Sequence, residues 1–96
     1  MDAKRDDYWR EQAELFKVLA NPTRLIILDR LRQGPRCVCA LAAELGLEKS
    51  VASKHLSKLR NLGLIGQRKN GTLVEYRLLA PCVLDMAVCV TQKRDA

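Results

Sequence analysis

Nothing in this 96-residue sequence approaches the run of roughly 20 apolar residues that a membrane span requires. The opening stretch, MDAKRDDYWR, is charged and mixed in sign, so it does not read as a secretory signal. A cytoplasmic protein with no membrane partner is therefore expected. There is one histidine, no glycine-rich phosphate loop and no evident acid–base pair, which argues against an enzyme. Repeats and low-complexity stretches are absent too. What is present is a chain that is 48% apolar, well above the level of a disordered segment. Its length suits a single domain spanning 1–96, near the small end for stability, where dimerisation or a bound metal would help.

The charge is unevenly placed. Of the net charge of +6, the segment from Glu48 to Arg77 carries +5, with basic residues at Lys49, Lys54, Lys58, Arg60, Arg68, Lys69 and Arg77. The first twenty residues sum to −1. A cationic patch confined to one part of a small domain is the electrostatic footprint of a nucleic-acid face rather than of a uniformly solvated surface.

Hydrophobic spacing divides the chain. Tyr8 to Leu19 has helical periodicity, with Trp9, Ala13, Phe16 and Ala20 in register and Leu15 and Leu19 beside them. Asn21-Pro22-Thr23 stops that helix, and Asn21 suits the N-cap of a second, with Pro22 in its first turn. Leu25, Ile26, Leu28 and Leu31 give the second helix a broad apolar face, and Gly34-Pro35 ends it. A third helix starts around Cys39 and closes at Gly46, which suits a left-handed C-terminal position. After a short turn, Ser50 to Leu62 forms a fourth, with Val51, His55, Leu59 and Leu62 along one side and Ala52 and Leu56 adjoining. Two helices joined by a short glycine-bearing turn make a helix-turn-helix.

The period then changes. Leu64-Ile65 and Leu73 to Leu78 read as short strands around RKNGT, and Asn70-Gly71 is a strong hairpin signal. A hairpin after a helix-turn-helix is a wing. Ala80-Pro81 opens a last helix with Val83, Leu84, Ala87, Val88 and Val90, before a charged tail, QKRDA. The expected fold is mainly α with a small β-hairpin wing, a winged helix-turn-helix in the order α1-α2-α3-α4-β-β-α5.

A helix fits the major groove, where polar residues reach base edges while lysines and arginines hold phosphates. Lys49, Ser50, Ser53, Lys54, Ser57 and Lys58 are the candidates on the fourth helix. Arg68 and Lys69, at the hairpin tip, are placed to reach backbone or a neighbouring minor groove. His55 suits a structural or DNA-edge role better than metal binding, for which it has no second histidine to join.

LANPTRLIIL, CVCAL, SVASKHLSKLRNLGLI and RKNGTLVEYRL, taken together, resemble the ArsR/SmtB winged helix-turn-helix repressors. The resemblance runs from about Leu15 to Leu79 in the family's order and spacing. It implies a homodimer joined through the first and last helices, a recognition helix at Ser50 to Leu62, and repression of a two-fold symmetric double-stranded operator. It further implies release when a metal or metalloid binds. The family often has glutamine where this chain has Lys49, and threonine or alanine at Val51, so base preference does not carry over.

The four cysteines are unlike stable disulfides, given a reducing compartment. Small buried apolar residues are the bland alternative. Cys37 and Cys39 would share a face if the backbone there is extended, and soft thiolates select soft ions. A zinc site of mixed ligands is poorly provided for beside CVC. By resemblance, CVC in this position is similar to the As(III)- and Sb(III)-responsive members, in which a pyramidal metalloid takes three thiolates. Lead and cadmium sensors of the family draw further cysteines from an N-terminal arm that has none here. The arsenite-type motif commonly continues CVCDLC, and its third cysteine falls on Ala42. Cys82 and Cys89, two helical turns apart, are the remaining donors, and the expectation is that one or both complete the site within a subunit or across a dimer. A redox branch of the family uses a second-helix cysteine where this chain has Asp29. A thiol-redox switch pairing Cys37 or Cys39 with a last-helix cysteine stays open, as does another thiophilic metal (Cd, Pb or Zn). The alternative from a different class is a winged-helix interaction module for protein or RNA, with structural cysteines.

Overall fold

The computed structural model describes residues 3–95 and contains five helices and three short strands. They run as α1 (Ala3–Leu19), α2 (Pro22–Arg32), β1 (Arg36–Cys37), α3 (Val38–Leu45), α4 (Lys49–Asn61), β2 (Ile65–Asn70), β3 (Leu73–Leu78) and α5 (Cys82–Asp95). The expected winged helix-turn-helix is the fold found. The strand β1 was not anticipated; it makes the wing a three-stranded antiparallel sheet in the order β1-β3-β2. Two residues are too few to show a period, and only pairing with β3 makes this segment a strand.

Local chemistry explains the boundaries. Asn21 caps α2, its side chain accepting from the Arg24 backbone N–H at 3.2 Å, with Pro22 in the first turn. Gly46, at φ 65°, closes α3 in the left-handed region, and the Leu47 N–H donates to the Ala42 carbonyl at 2.9 Å. Only three residues then separate α3 from α4. The hairpin turn differs from expectation. Asn70 is the last residue of β2 and pairs with Leu73, so the two-residue turn is Gly71-Thr72. Gly71 has φ 66° and no described non-glycine residue has positive φ, the arrangement of a II′ turn with glycine first. The helix α5 also extends through most of the stretch expected as a tail, to Asp95, while Ala96 lies outside the described residues.

The core gathers Ile27, Leu28 and Leu31 of α2, Leu41 and Ala42 of α3, and Ala52, Leu56 and Leu59 of α4, closed by Leu64 and Ile65. On α4 the buried stripe is thus Ala52–Leu56–Leu59. Val51 and Leu62, expected on the inward side, are exposed, and His55 is half-buried. Helix α1 sends Leu19 inward with Leu15 and Val18 packed against the core, while Tyr8, Trp9 and Phe16 face out. Helix α5 buries Leu84 and leaves Met86, Val88 and Val90 exposed. An ion pair from Arg32 to Asp85, at 3.0 Å, ties α2 to the start of α5.

Candidate nucleic-acid interface and cysteine sites

Burying Ala52, Leu56 and Leu59 leaves the opposite side of α4 to polar residues. Lys49, Ser50, Lys54, Ser57 and Lys58 are exposed and Ser53 is half-buried, so all six expected contacts stand on the uncovered part of the helix. Arg68 and Lys69 are exposed on β2, opposite Glu75 and Val74 of β3. Asn70 donates to the Glu75 carboxylate at 2.9 Å across the wing. Arg60 donates to Gln67, which links the end of α4 to β2. Helix α4 and the wing are therefore joined by one polar contact, Arg60 to Gln67, beside an apolar floor of Leu64 and Ile65.

Beside this face lies a groove of about 510 Å³ lined by Arg24, Val51, Ser53, Lys54, His55, Ser57 and Lys58. Arg24 was not singled out from sequence, because its contacts are long-range. Its Nη1 donates to the Val18 carbonyl at 2.9 Å and its Nε donates to His55 Nδ1 at 3.1 Å. Arginine has no acceptor, so Nδ1 must be the unprotonated nitrogen and the ring is neutral. The His55 pKa is lowered from its ordinary 6.5 by burial first, then by the positive charges of Arg24 and Lys58. His55 thus stands at the edge of the exposed polar side of α4 with its Nδ1 tied to Arg24.

The cysteines fall into two groups. Cys37 is the last residue of β1, paired opposite Glu75, and is also the N-cap of α3 with no side-chain cap bond. Cys39 is exposed in the first turn of α3. Extended backbone is therefore confined to Cys37, and the two thiols do not lie on one strand. Arg36 fastens this corner, donating to the Glu44 carboxylate at 3.0 Å, to the Gly34 carbonyl at 2.9 Å and to the Arg30 carbonyl. Cys82 and Cys89 are exposed on α5. All four thiols are free and none is a core residue, so the bland expectation of small buried packing does not hold in the single chain. Ala42 is buried, which turns that position away from the exposed Cys39. Among the described residues of one chain, no three histidine, cysteine, aspartate or glutamate side chains gather as a metal site.

A helix-turn-helix followed by a hairpin, with its charge on the second helix and the hairpin, defines a winged-helix regulator. Residues 21–66 match the sequence profile described as bacterial regulatory protein, arsR family. The chain is 30% identical to NolR of Sinorhizobium fredii, with a TM-score of 0.85 over 96% of this chain and 92% of that one. It is 34% identical to the homodimeric winged helix-turn-helix DNA-binding domain Mb0332 of Mycobacterium bovis, at a TM-score of 0.83 over 99% and 88%. The antimony-specific transcriptional repressor AntR matches at 34% identity and a TM-score of 0.75, over 99% and 89%. Among curated relatives, the transcriptional regulator NmtR of Mycobacterium tuberculosis is 44% identical over 69% of this chain. The arsenical resistance operon repressor of Escherichia coli is 46% identical over 68%. These matches span 55% of NmtR and 56% of the arsenical repressor, little more than half their length. This chain belongs to the ArsR family of bacterial transcriptional regulators. No helix among the described residues is long and apolar enough to cross a membrane.

Proposed function

We propose that this protein is a cytoplasmic, homodimeric repressor that reads a two-fold symmetric operator and lets go when As(III) or Sb(III) binds its thiolates. The observation that carries the DNA reading is the exposed polar side of α4, with Lys49, Ser50, Ser53, Lys54, Ser57 and Lys58, continued by Arg68 and Lys69 on the wing. Serines and His55 would meet base edges or backbone, while the cations hold phosphates. Two copies related by a two-fold axis would set their α4 helices about one DNA turn apart. The uncovered apolar residues of α1 and α5 supply the surface that a second copy would cover.

The inducer reading rests on four free thiols in two groups, together with the names of two relatives, an arsenical resistance operon repressor and an antimony-specific repressor. Three thiols and arsenous acid give a tris-thiolate and three waters, with no oxidant needed. Cys37 and Cys39 form one part of that set. Because no three donors gather among the described residues of one chain, the third would come from Cys82 or Cys89 of the partner copy. Cys37 belongs both to the strand paired with the wing and to the start of the helix-turn-helix. Drawing its thiol toward a metalloid therefore acts on both parts of the reading surface. Coupling of this kind is typically about 1–3 kcal/mol and reciprocal, so DNA weakens metalloid binding by the same factor.

The test is a titration of a duplex selected by the wild-type protein from a random pool, with and without arsenite, for the wild type and for Cys37→Ser, Cys39→Ser, Cys82→Ser and Cys89→Ser. Arsenite should release the wild type. Cys37→Ser and Cys39→Ser, and at least one α5 variant, should stay bound. Release that none of the four changes alters would sink the thiolate reading. A second reading is favoured by the exposure of Cys39, Cys82 and Cys89: a thiol-redox switch. Release by mild oxidant with indifference to arsenite would select it.

A further inference from the structure

Arg24 sits where three segments meet. Its backbone N–H is held by the Asn21 cap at 3.2 Å, its Nη1 by the Val18 carbonyl in the last turn of α1 at 2.9 Å, and its Nε by His55 of α4 at 3.1 Å. One side chain thus joins the end of α1, the start of α2 and the middle of α4. Beyond it, α1 and α4 share the apolar cluster that holds Leu19, Leu56 and Leu59, and non-directional apolar contacts set the rotation of a helix less sharply than a hydrogen bond does. A directional hydrogen bond at the helix edge specifies it.

We propose that Arg24 and His55 are a positioning pair, seating α4 against the α1–α2 corner so that its polar side presents at the angle an operator requires. The pair controls preference among DNA sequences, not adhesion to DNA in general. This rests on the DNA-binding reading above. The bond demands a neutral imidazole. Protonated, His55 offers no acceptor at Nδ1 and meets the Arg24 guanidinium with like charge.

The surroundings sharpen this. From α2 the ring faces Arg24, and from α4 itself Lys54 and Lys58. An adjoining groove of about 400 Å³ adds Lys17 of α1, with Val18, Asn61 and Leu62, and shares Arg24 and Lys58. Of the other elements packed on α4, α3 carries Glu44, which is held by Arg36, and β2 carries Arg68 and Lys69; none of the three lines either groove. No acid lines these grooves to stabilise an imidazolium. Protonation would still add positive charge near DNA, and so strengthen binding to any duplex. The informative quantity is the ratio of affinities for a selected and a shuffled sequence.

The experiment measures that ratio for the wild type, His55→Gln and His55→Leu at about pH 7.5 and about pH 5.0, the lower set well below histidine's ordinary 6.5 because burial and nearby cations depress His55 further. The duplex is one the wild type selects from a random pool. The wild-type ratio should fall roughly tenfold at the lower pH, the scale of one hydrogen bond involving a charged group. His55→Gln, which still accepts from Arg24 but takes up no proton, should hold its ratio at both. His55→Leu should lose it at both. A leucine variant with the wild-type ratio, or a glutamine variant that follows the wild-type pH profile, overturns the pairing. If His55→Leu does not fold, the comparison of glutamine with wild type still decides. A wild type that selects no duplex overturns the DNA reading, and this role with it.

Discussion

The exposed side of α4 and the wing sets lysines, arginines and serines above a stripe of fully buried leucine and alanine, whereas the exposed sides of α1 and α5 set out Trp9, Phe16, Met86, Val88 and Val90. The first surface is mainly the ordinary amphipathic solution, apolar inward and polar outward, with Val51, Leu62 and Leu73 as the apolar residues it leaves exposed. The second inverts it at several positions, and scattered apolar exposure on one helix alone would need no explanation. Concentrated on the two helices that flank the helix-turn-helix, it is the surface that the proposed dimer would cover. The two regions should therefore respond differently to salt and to substitution. Charge attracts DNA in a salt-dependent way, while apolar cover is nearly indifferent to salt.

The strongest way to break the comparison is to put charge into the apolar region. Phe16→Glu together with Val90→Glu should leave a folded monomer, seen as an unchanged helical signal with halved mass in sedimentation. Operator affinity should then fall by at least about a hundredfold, because one linked two-site encounter becomes two weak ones. A folded dimer with intact affinity would mean that α1 and α5 do not form the interface. A smaller effect is expected on the cationic side. Lys54→Ala should weaken binding to selected and shuffled duplexes alike and reduce the slope of log affinity against log salt by about 1. An unchanged slope would take Lys54 out of contact with phosphate. The smallest effect concerns neither surface directly. Asn21→Ala removes the α2 cap and should cost about 1 kcal/mol in denaturant unfolding, with the oligomeric state unaltered.

The pH behaviour of stability has a definite sign. His55 has a folded pKa below its ordinary 6.5, so the unfolded chain binds the proton more readily. The contribution of the neutral ring is complete above pH 6.5 and is lost as pH falls through 6.5 and below the folded value.

Much of this was legible along the chain. Local rules place the cap at Asn21, the left-handed glycine at 46 and the helix-turn-helix, since each depends on residues a few positions apart. The charge on α4 and the wing is a property of composition. The strand β1 was not legible, because two residues at Arg36-Cys37 become a strand only when β3 arrives from forty positions away. The inward side of α4 lies about a fifth of a turn from the side the apolar spacing suggests, with Leu59 common to both. Apolar Val51 and Leu62 argue for a wider buried stripe than the core accommodates, and each instead lines one of the two grooves beside Arg24.

By itself, then, the sequence determined the order of the five helices and the hairpin, the start of α2, the close of α3, and which segment carries the positive charge, because those follow from backbone chemistry and local composition. The tertiary structure alone decided that Cys37 belongs to the wing's sheet, that Ala42 faces the core while the other cysteines face out, and that Arg24 reaches both Val18 and His55. Those are contacts between residues distant along the chain, and packing, not periodicity, brings them together.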